Sequence, residues 1–181
     1  LIYVGAGTSG RIGVQDGAEL YPTFGWPKNR ALFLIAGGEQ ALLRPVEHAE
    51  DDKNDALLKV KELKICSGDV ILGLAASGNT IFTNEVILQS KLLGALTIGI
   101  SNNPSGKILK NANLGIYLNT GPEVLAGSTR LKAGTSQKIT LNLISTLLMS
   151  KLGRIKNGRM THMIVTNKKL KKRKKDMEKN K

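Results

Sequence analysis

What this 181-residue chain has little of narrows its class first. A single cysteine, Cys66, rules out an internal disulfide and fits a reducing compartment, so a cytoplasmic setting is expected. As the lone thiol it reads as a small buried residue near a strand. Aromatic residues make up 4% of the chain against 41% hydrophobic in all, so the core must be built from Leu, Ile, Val and Ala. No apolar run is long enough to cross a bilayer, and no basic segment leads into a short apolar one, so neither a membrane span nor a signal peptide is expected. His48, His162 and Cys66 form no cluster with metal-ligand spacing, so no metal is expected.

Acid is scarce too: 14 Asp and Glu stand against 27 Lys and Arg, a net charge of +13. Its location matters more than its size. Residues 168–181, KKLKKRKKDMEKNK, carry nine Lys or Arg against Asp176 and Glu178, which leaves the remaining residues mildly basic. The tail has no aromatic residue on which a base could stack, so it reads as a solvated helix face and no nucleic-acid partner is expected. The length suits one domain, drawn here as 1–166, with 167–181 as a basic tail opening a further helical segment. The chain starts without methionine, within a strand pattern, and stops inside a charge run, as a piece of a longer protein would.

Five apolar runs punctuate the sequence: LIYV at 1–4, ALFLIA at 31–36, DVILGLA at 69–75, LTIGIS at 96–101 and LGIYLN at 114–119. Being apolar at consecutive positions, they suit strands buried on both faces of a parallel sheet. Apolar residues recur at helical spacing over 39–48, 54–64 and 82–93, and over a long stretch of about 129–152 that Gly153 ends. This alternation predicts an α/β fold, a doubly wound, five-stranded, mostly parallel sheet flanked by helices. Ligands then bind at the carboxyl ends of the strands, where the loops 5–10, 36–39, 76–80, 101–106 and 120–130 are rich in Gly, Ser, Thr or Asn.

The first of these loops, GAGTSG at 5–10, matches G-x-G-x-x-G and so raises a dinucleotide reading. That reading wants an acid at the tip of the second strand, and the first acid there is Glu39, past the tip. A second loop, AASGNT at 75–80, points elsewhere. Ser77 and Thr80 near one helix start, and Thr8 and Ser9 near another, add hydroxyl donors to free backbone N–H groups. Two such loops around one switch point suit a single phosphomonoester better than a pyrophosphate. Read singly, Ser9 and Ser77 could each be a plain helix cap.

TSG at 8–10 and ASGNT at 76–80 resemble the sugar isomerase (SIS) domain, and GPEVLAGSTRLKAGTSQK at 121–138 resembles the signature shared by glucokinase regulatory proteins and N-acetylmuramic acid 6-phosphate etherases. GAGTSGRIGVQDGAELYPTFG at 5–25 and LIAGGEQALLRPVEHAEDD at 34–52 are similar to the etherase branch. The resemblance, over about residues 1–170, implies a flavodoxin-like SIS domain whose Gly7, Thr8, Ser9, Gly10, Ser77, Gly78, Asn79 and Thr80 bind a sugar phosphate. It also implies a homodimer with no cofactor. Asn79 and Ile81 depart from the ASGRTP usual in the etherases, and Asp16-Gly17-Ala18-Glu19 departs from DASE.

Those etherases cleave the D-lactyl ether of the sugar phosphate by elimination and rehydration. Ring opening exposes an aldehyde that acidifies the hydrogen on carbon two; a base removes it and an acid assists departure of lactate. The resemblance places the pair at Glu19, as acid, and Glu50, as base. Around Glu19 stand Val14, Ala18, Leu20 and Tyr21, whose apolar surroundings would favour a protonated acid. Glu50, among Glu47, Asp51 and Asp52, reads by itself as a solvated helix end. Arg130, Lys132 and Lys138 are candidate cations for phosphate or carboxylate. Two further functions share the same loops: a non-catalytic sugar-phosphate regulator, which needs no acid–base pair, and a sugar-phosphate isomerase.

Overall fold

The computed structural model describes residues 1–165 and 168–179. The five apolar runs all become strands: β1 (Ile2–Gly5), β2 (Leu32–Ile35), β3 (Val70–Leu74), β4 (Leu96–Ser101) and β5 (Leu114–Tyr117). They pair in the order β2-β1-β3-β4-β5, every pair parallel. The chain therefore winds outward from β1 in both directions, and the switch point falls between β1 and β3.

Helices cover both faces, as alternating side chains require. Ile2, Val4 and Ile71 point to one side, where they pack with Ala56 and Val60 of α3 (Lys53–Glu62), Phe82, Val86 and Ile87 of α4 (Ile81–Leu92) and Ile108 of α5 (Lys107–Asn111). Tyr3, Leu72, Leu74 and Ile100 point to the other, against Leu141 and Met149 of α6 (Lys132–Lys151). There α6 packs beside α1 (Gly7–Ala18), which continues into the short α2 (Leu20–Phe24). Gly153, at φ +73°, ends α6, and a two-stranded ribbon of β6 (Ile155–Lys156) and β7 (Arg159–Met160) follows. Residues 168–179 form α7 (Lys168–Lys179), while the boundary drawn at 166 and 167 lies outside the described residues.

Three expectations need correction. Residues 39–48 are not a helix: 3₁₀ turns occupy Glu39–Leu42 and Ala49–Asp51, with irregular chain between. Pro45 can donate no backbone hydrogen bond and restrains Arg44, and His48 takes a left-handed φ of 59°. Glu50 thus sits in a turn, not at a helix end. Cys66 is exposed rather than buried.

One buried polar cluster ties α1, β1 and α6 together. Asp16 on α1, 5% exposed, accepts a hydrogen bond from the Tyr3 hydroxyl (3.0 Å) and one from the Ser145 hydroxyl (3.3 Å). Burial pushes the Asp16 carboxyl up, against the opposing pull of those two donors and the Lys138 charge. A carboxyl whose folded pKa lies above its unfolded value stabilises the fold in acid and loses that contribution as pH rises through the folded value. Asp16→Asn keeps an acceptor for Tyr3 and carries no buried charge. Its melting temperature relative to wild type should therefore be higher at pH 7.5 than at pH 4, which parallel thermal melts measure; an unchanged difference would place the charged carboxylate at no cost.

Candidate functional site

The β1–β3 register sets Gly5 beside Leu74, so the two following loops leave the sheet about 4.8 Å apart. The β1 loop turns at once into α1. Gly7 opens that helix at φ +52°, a left-handed value that L side chains rarely adopt, and nothing lies within 4 Å of where its Cβ would be. A ligand can therefore approach the backbone closely here. Ala6 is the cap residue and makes no side-chain bond, so Ser9, 8% exposed in the first turn, is not a cap. The unpaired first-turn N–H groups make this end the positive end of the helix dipole.

The β3 loop is held from behind by a web of amides. Asn84 on α4 donates to the Gly78 and Thr80 carbonyls (3.1 and 3.0 Å), Asn103 donates to the Ser77 carbonyl (3.0 Å), and Asn111 donates to Asn84 Oδ1 (2.8 Å). Gly78, at φ +72°, runs against Gly106 and the Ser101 hydroxyl, where no side chain would fit. Ser77 is exposed and accepts from the Asn79 N–H (3.2 Å), while Thr80 caps α4 by position without a side-chain bond. Asn79 is exposed on the same loop, and its Oδ1 accepts from the Lys107 N–H (3.2 Å) at the start of α5. Asn84, Asn103 and Asn111 were not singled out from sequence, because their bonds appear only once the loops and α4 are folded together.

Glu50 reaches the same edge. It lines a cavity of about 340 Å³ with Gly7, Thr8, Arg11 and His48, between the first turn of α1 and the turns that follow β2. Glu19 does not. It joins α1 to α2 and is exposed, so the apolar neighbours in sequence do not enclose it: Leu20 turns inward while Ala18 and Glu19 turn out. Gly10, near the start of α1, packs on Gly5 at the carboxyl end of β1, whereas Gly17 packs on the rings of Tyr3 and Phe33 lower in the sheet. Since twelve helical residues rise about 18 Å, Glu19 lies at the opposite edge from Glu50. A single chain does not bring the two carboxylates together.

The other candidate cations fall away from this cavity. Lys138 donates to Asn142 Oδ1 (2.6 Å) along its own helix, and Lys132 lines a separate groove with Thr120, Leu131 and Ile139. Glu123, unremarked in the sequence, accepts from the Lys132 and Ala133 N–H groups (3.0 and 2.9 Å) and so fills the start of α6. Among the described residues no group of three or more His, Cys, Asp and Glu is placed to hold a metal, and no helix is long and apolar enough to cross a membrane.

The two Gly-Ser-Thr loops leave β1 and β3 side by side at the switch point of a parallel, doubly wound sheet, which defines an α/β domain of open-sheet topology. The chain belongs to the SIS domain family, whose model matches residues 46–147, and the glucokinase regulatory protein N-terminal SIS domain matches residues 1–87. It is 48% identical over 170 residues to an N-acetylmuramic acid 6-phosphate etherase of Deinococcus radiodurans, spanning 94% of this chain and 56% of that protein. It is 48% identical over 177 residues to one of an Exiguobacterium species, spanning 98% of this chain and 60% of the relative. The chain thus spans little more than half the length of these curated relatives. Among solved structures, a sugar-phosphate-bound protein of E. coli CFT073 shares the fold at a TM-score of 0.62 and 14% identity, over 86% of this chain and 71% of that one. The C-terminal domain of glucosamine-fructose-6-phosphate aminotransferase from Francisella tularensis does so at 0.61 and 18% identity, over 87% and 38%.

If the loops bind phosphate, Ser9→Ala and Ser77→Ala should each weaken binding of a sugar 6-phosphate by about 1.5–3 kcal/mol while leaving the melting temperature near wild type. Calorimetry with the phosphorylated and unphosphorylated sugars checks this. Equal affinity of the wild type for the two sugars would remove the phosphate from the site.

Proposed function

We propose that this protein is a carbon–oxygen lyase that cleaves the D-lactyl ether of N-acetylmuramic acid 6-phosphate, giving N-acetylglucosamine 6-phosphate and D-lactate without a cofactor. The reading extends to it what the similar etherases are named for. The observation that carries it is the position of Glu50 in a turn that lines the cavity beside Thr8, at the start of α1. A regulator needs the phosphate loops and gains nothing from a carboxylate there, whereas an elimination needs a base on the sugar.

The phosphate is held by the α1 terminus and the hydroxyls of Thr8, Ser9 and Ser77. The open-chain sugar then lies across the crevice toward the β2 side, where Glu50 takes the proton from carbon two. Departure of lactate needs an acid, the role assigned to Glu19, which one chain holds at the far edge. A second copy resolves this. The outer flank of α6 exposes Ile139 (54%), Leu143 (58%) and Leu147 (63%), one residue per turn. Two copies packed through that stripe about a two-fold axis, with their α6 helices antiparallel, would set the amino edge of one sheet against the carboxyl edge of the other. We infer a homodimer in which Glu19 serves the crevice of its partner, in a soluble, cytoplasmic enzyme of amino-sugar catabolism and peptidoglycan recycling.

The roles separate by isotope. Glu50→Gln should lower exchange of the carbon-two hydrogen with deuterated solvent by about 10²–10⁴, the usual contribution of a general base. Glu19→Gln should keep the exchange and slow D-lactate release. Mixing equal amounts of the two inactive variants, unfolded and refolded together, should restore about a quarter of the wild-type rate, because half the dimers then own one intact site. No recovery on mixing would confine both carboxylates to one chain, and wild-type lactate release by both variants would remove them from the chemistry.

A further inference from the structure

Arg11 has no assigned part in the reaction, yet its placement is unusual for a surface arginine. It is half-buried on the same face of α1 as Thr8, one turn on, and lines the Glu50 cavity. Its Nε donates to the Ala41 carbonyl (2.9 Å) and its Nη2 to the Arg44 carbonyl (3.4 Å), so the guanidinium is held in one orientation. Among the described residues no carboxylate lies within ion-pair distance of it, and its hydrogen bonds there run from Nε and Nη2, leaving Nη1 available. The cavity is otherwise acidic: Glu47 and Glu50 line it, and Arg11 is the one arginine or lysine that does.

An anionic group could enter beside Glu47 and Glu50 only if a cation met it there. The phosphate already has the α1 terminus and the β3 loop, and no residue of the β3 loop lines this cavity. We propose that Arg11 is the specificity residue that binds the carboxylate of the substrate's lactyl group through its outward guanidinium edge. It would thereby distinguish the lactyl sugar phosphate from the product, which has the same phosphate and no carboxylate. The proposal rests on the etherase reading for its ligand. A planar guanidinium suits the task, since it can brace a loop with two donors and still offer a third to a carboxylate.

The test compares Arg11→Gln and Arg11→Lys with wild type in the full-length enzyme. KM for N-acetylmuramic acid 6-phosphate should rise about ten- to a hundredfold in Arg11→Gln, as for a lost charge-assisted hydrogen bond. The inhibition constant of N-acetylglucosamine 6-phosphate should stay within about twofold of wild type, because that ligand lacks the group Arg11 reads. Arg11→Lys should recover part of the lost affinity. If both constants rose together, Arg11 would be reading phosphate or merely bracing the 41–44 loop, and the proposal would fail; it would fail also if neither moved. Should wild type release no D-lactate, the etherase reading falls by itself. Calorimetric affinities of the two sugar phosphates then decide on Arg11 separately: a wild-type preference for the carboxylate-bearing sugar that Arg11→Gln abolishes supports the assignment, and equal affinities overturn it.

Discussion

The pairing of β1 with β3 is the constraint on which the rest of this molecule depends. Gly5 and Leu74 are register partners, and a Cβ at Gly5 would stand 2.7 Å from the Gly10 backbone nitrogen and 3.1 Å from the Leu74 carbonyl. The first strand, the start of α1 and the end of β3 are therefore in backbone contact, with no side chain between them. This closeness aims the α1 dipole and the β3 loop at one point. Because the chain winds away from that point on both sides, no connecting helix covers it. A phosphate needs several donors converging on it without reorganisation, and on the proposed reading a backbone junction fixed by sheet register would supply them at little further entropic cost.

The supports around this junction divide by distance. Asp16, Tyr3 and Ser145 brace α1 against β1 and α6 from below. Asn84 and Asn103 brace the β3 loop by donating to the Gly78 and Ser77 carbonyls, and Asn111 holds Asn84 in place. Asn79 adds a link from this loop to the start of α5 through its Oδ1.

Strands β1 to β4 were legible because residues largely buried on both faces are apolar at consecutive positions, a signal that needs no partner to be read; the edge strand β5 carries a similar apolar run although most of it is exposed. The same holds for α3, α4 and α6, whose expected spans lie within a few residues of the observed ones. Legibility failed where apolar spacing and backbone geometry disagree. Ala41, Leu42 and Val46 sit at helical spacing, but Pro45 and the left-handed His48 break the chain between them, and only the folded loop shows Glu50 turned into the cavity. Around Glu19 the apolar neighbours were real, yet a helix turns 100° per residue, so adjacent positions need not share a side. The amide web and the Arg11 contacts span gaps that no local pattern encodes.

The two carboxylates set the last physical limit. An elimination that takes a proton from carbon two and expels an alkoxide from carbon three works on adjacent atoms of one sugar, so its acid and base must both stand within hydrogen-bond reach of that sugar. Glu50 lines the cavity at the carboxyl edge of the sheet, whereas Glu19 follows a helix that carries it about 18 Å away. No side-chain rotation spans such a length, and α1 cannot slide, because Gly10 and Gly17 are both locked against the sheet. If both glutamates act on one substrate, they come from different chains. The parallel α1 and α6 then acquire a purpose beyond covering the core: a two-fold axis across their outer flank reverses their direction and exchanges one edge of the sheet for the other. The apolar stripe of Ile139, Leu143 and Leu147, costly to leave in water on a monomer, lies where that exchange would bury it.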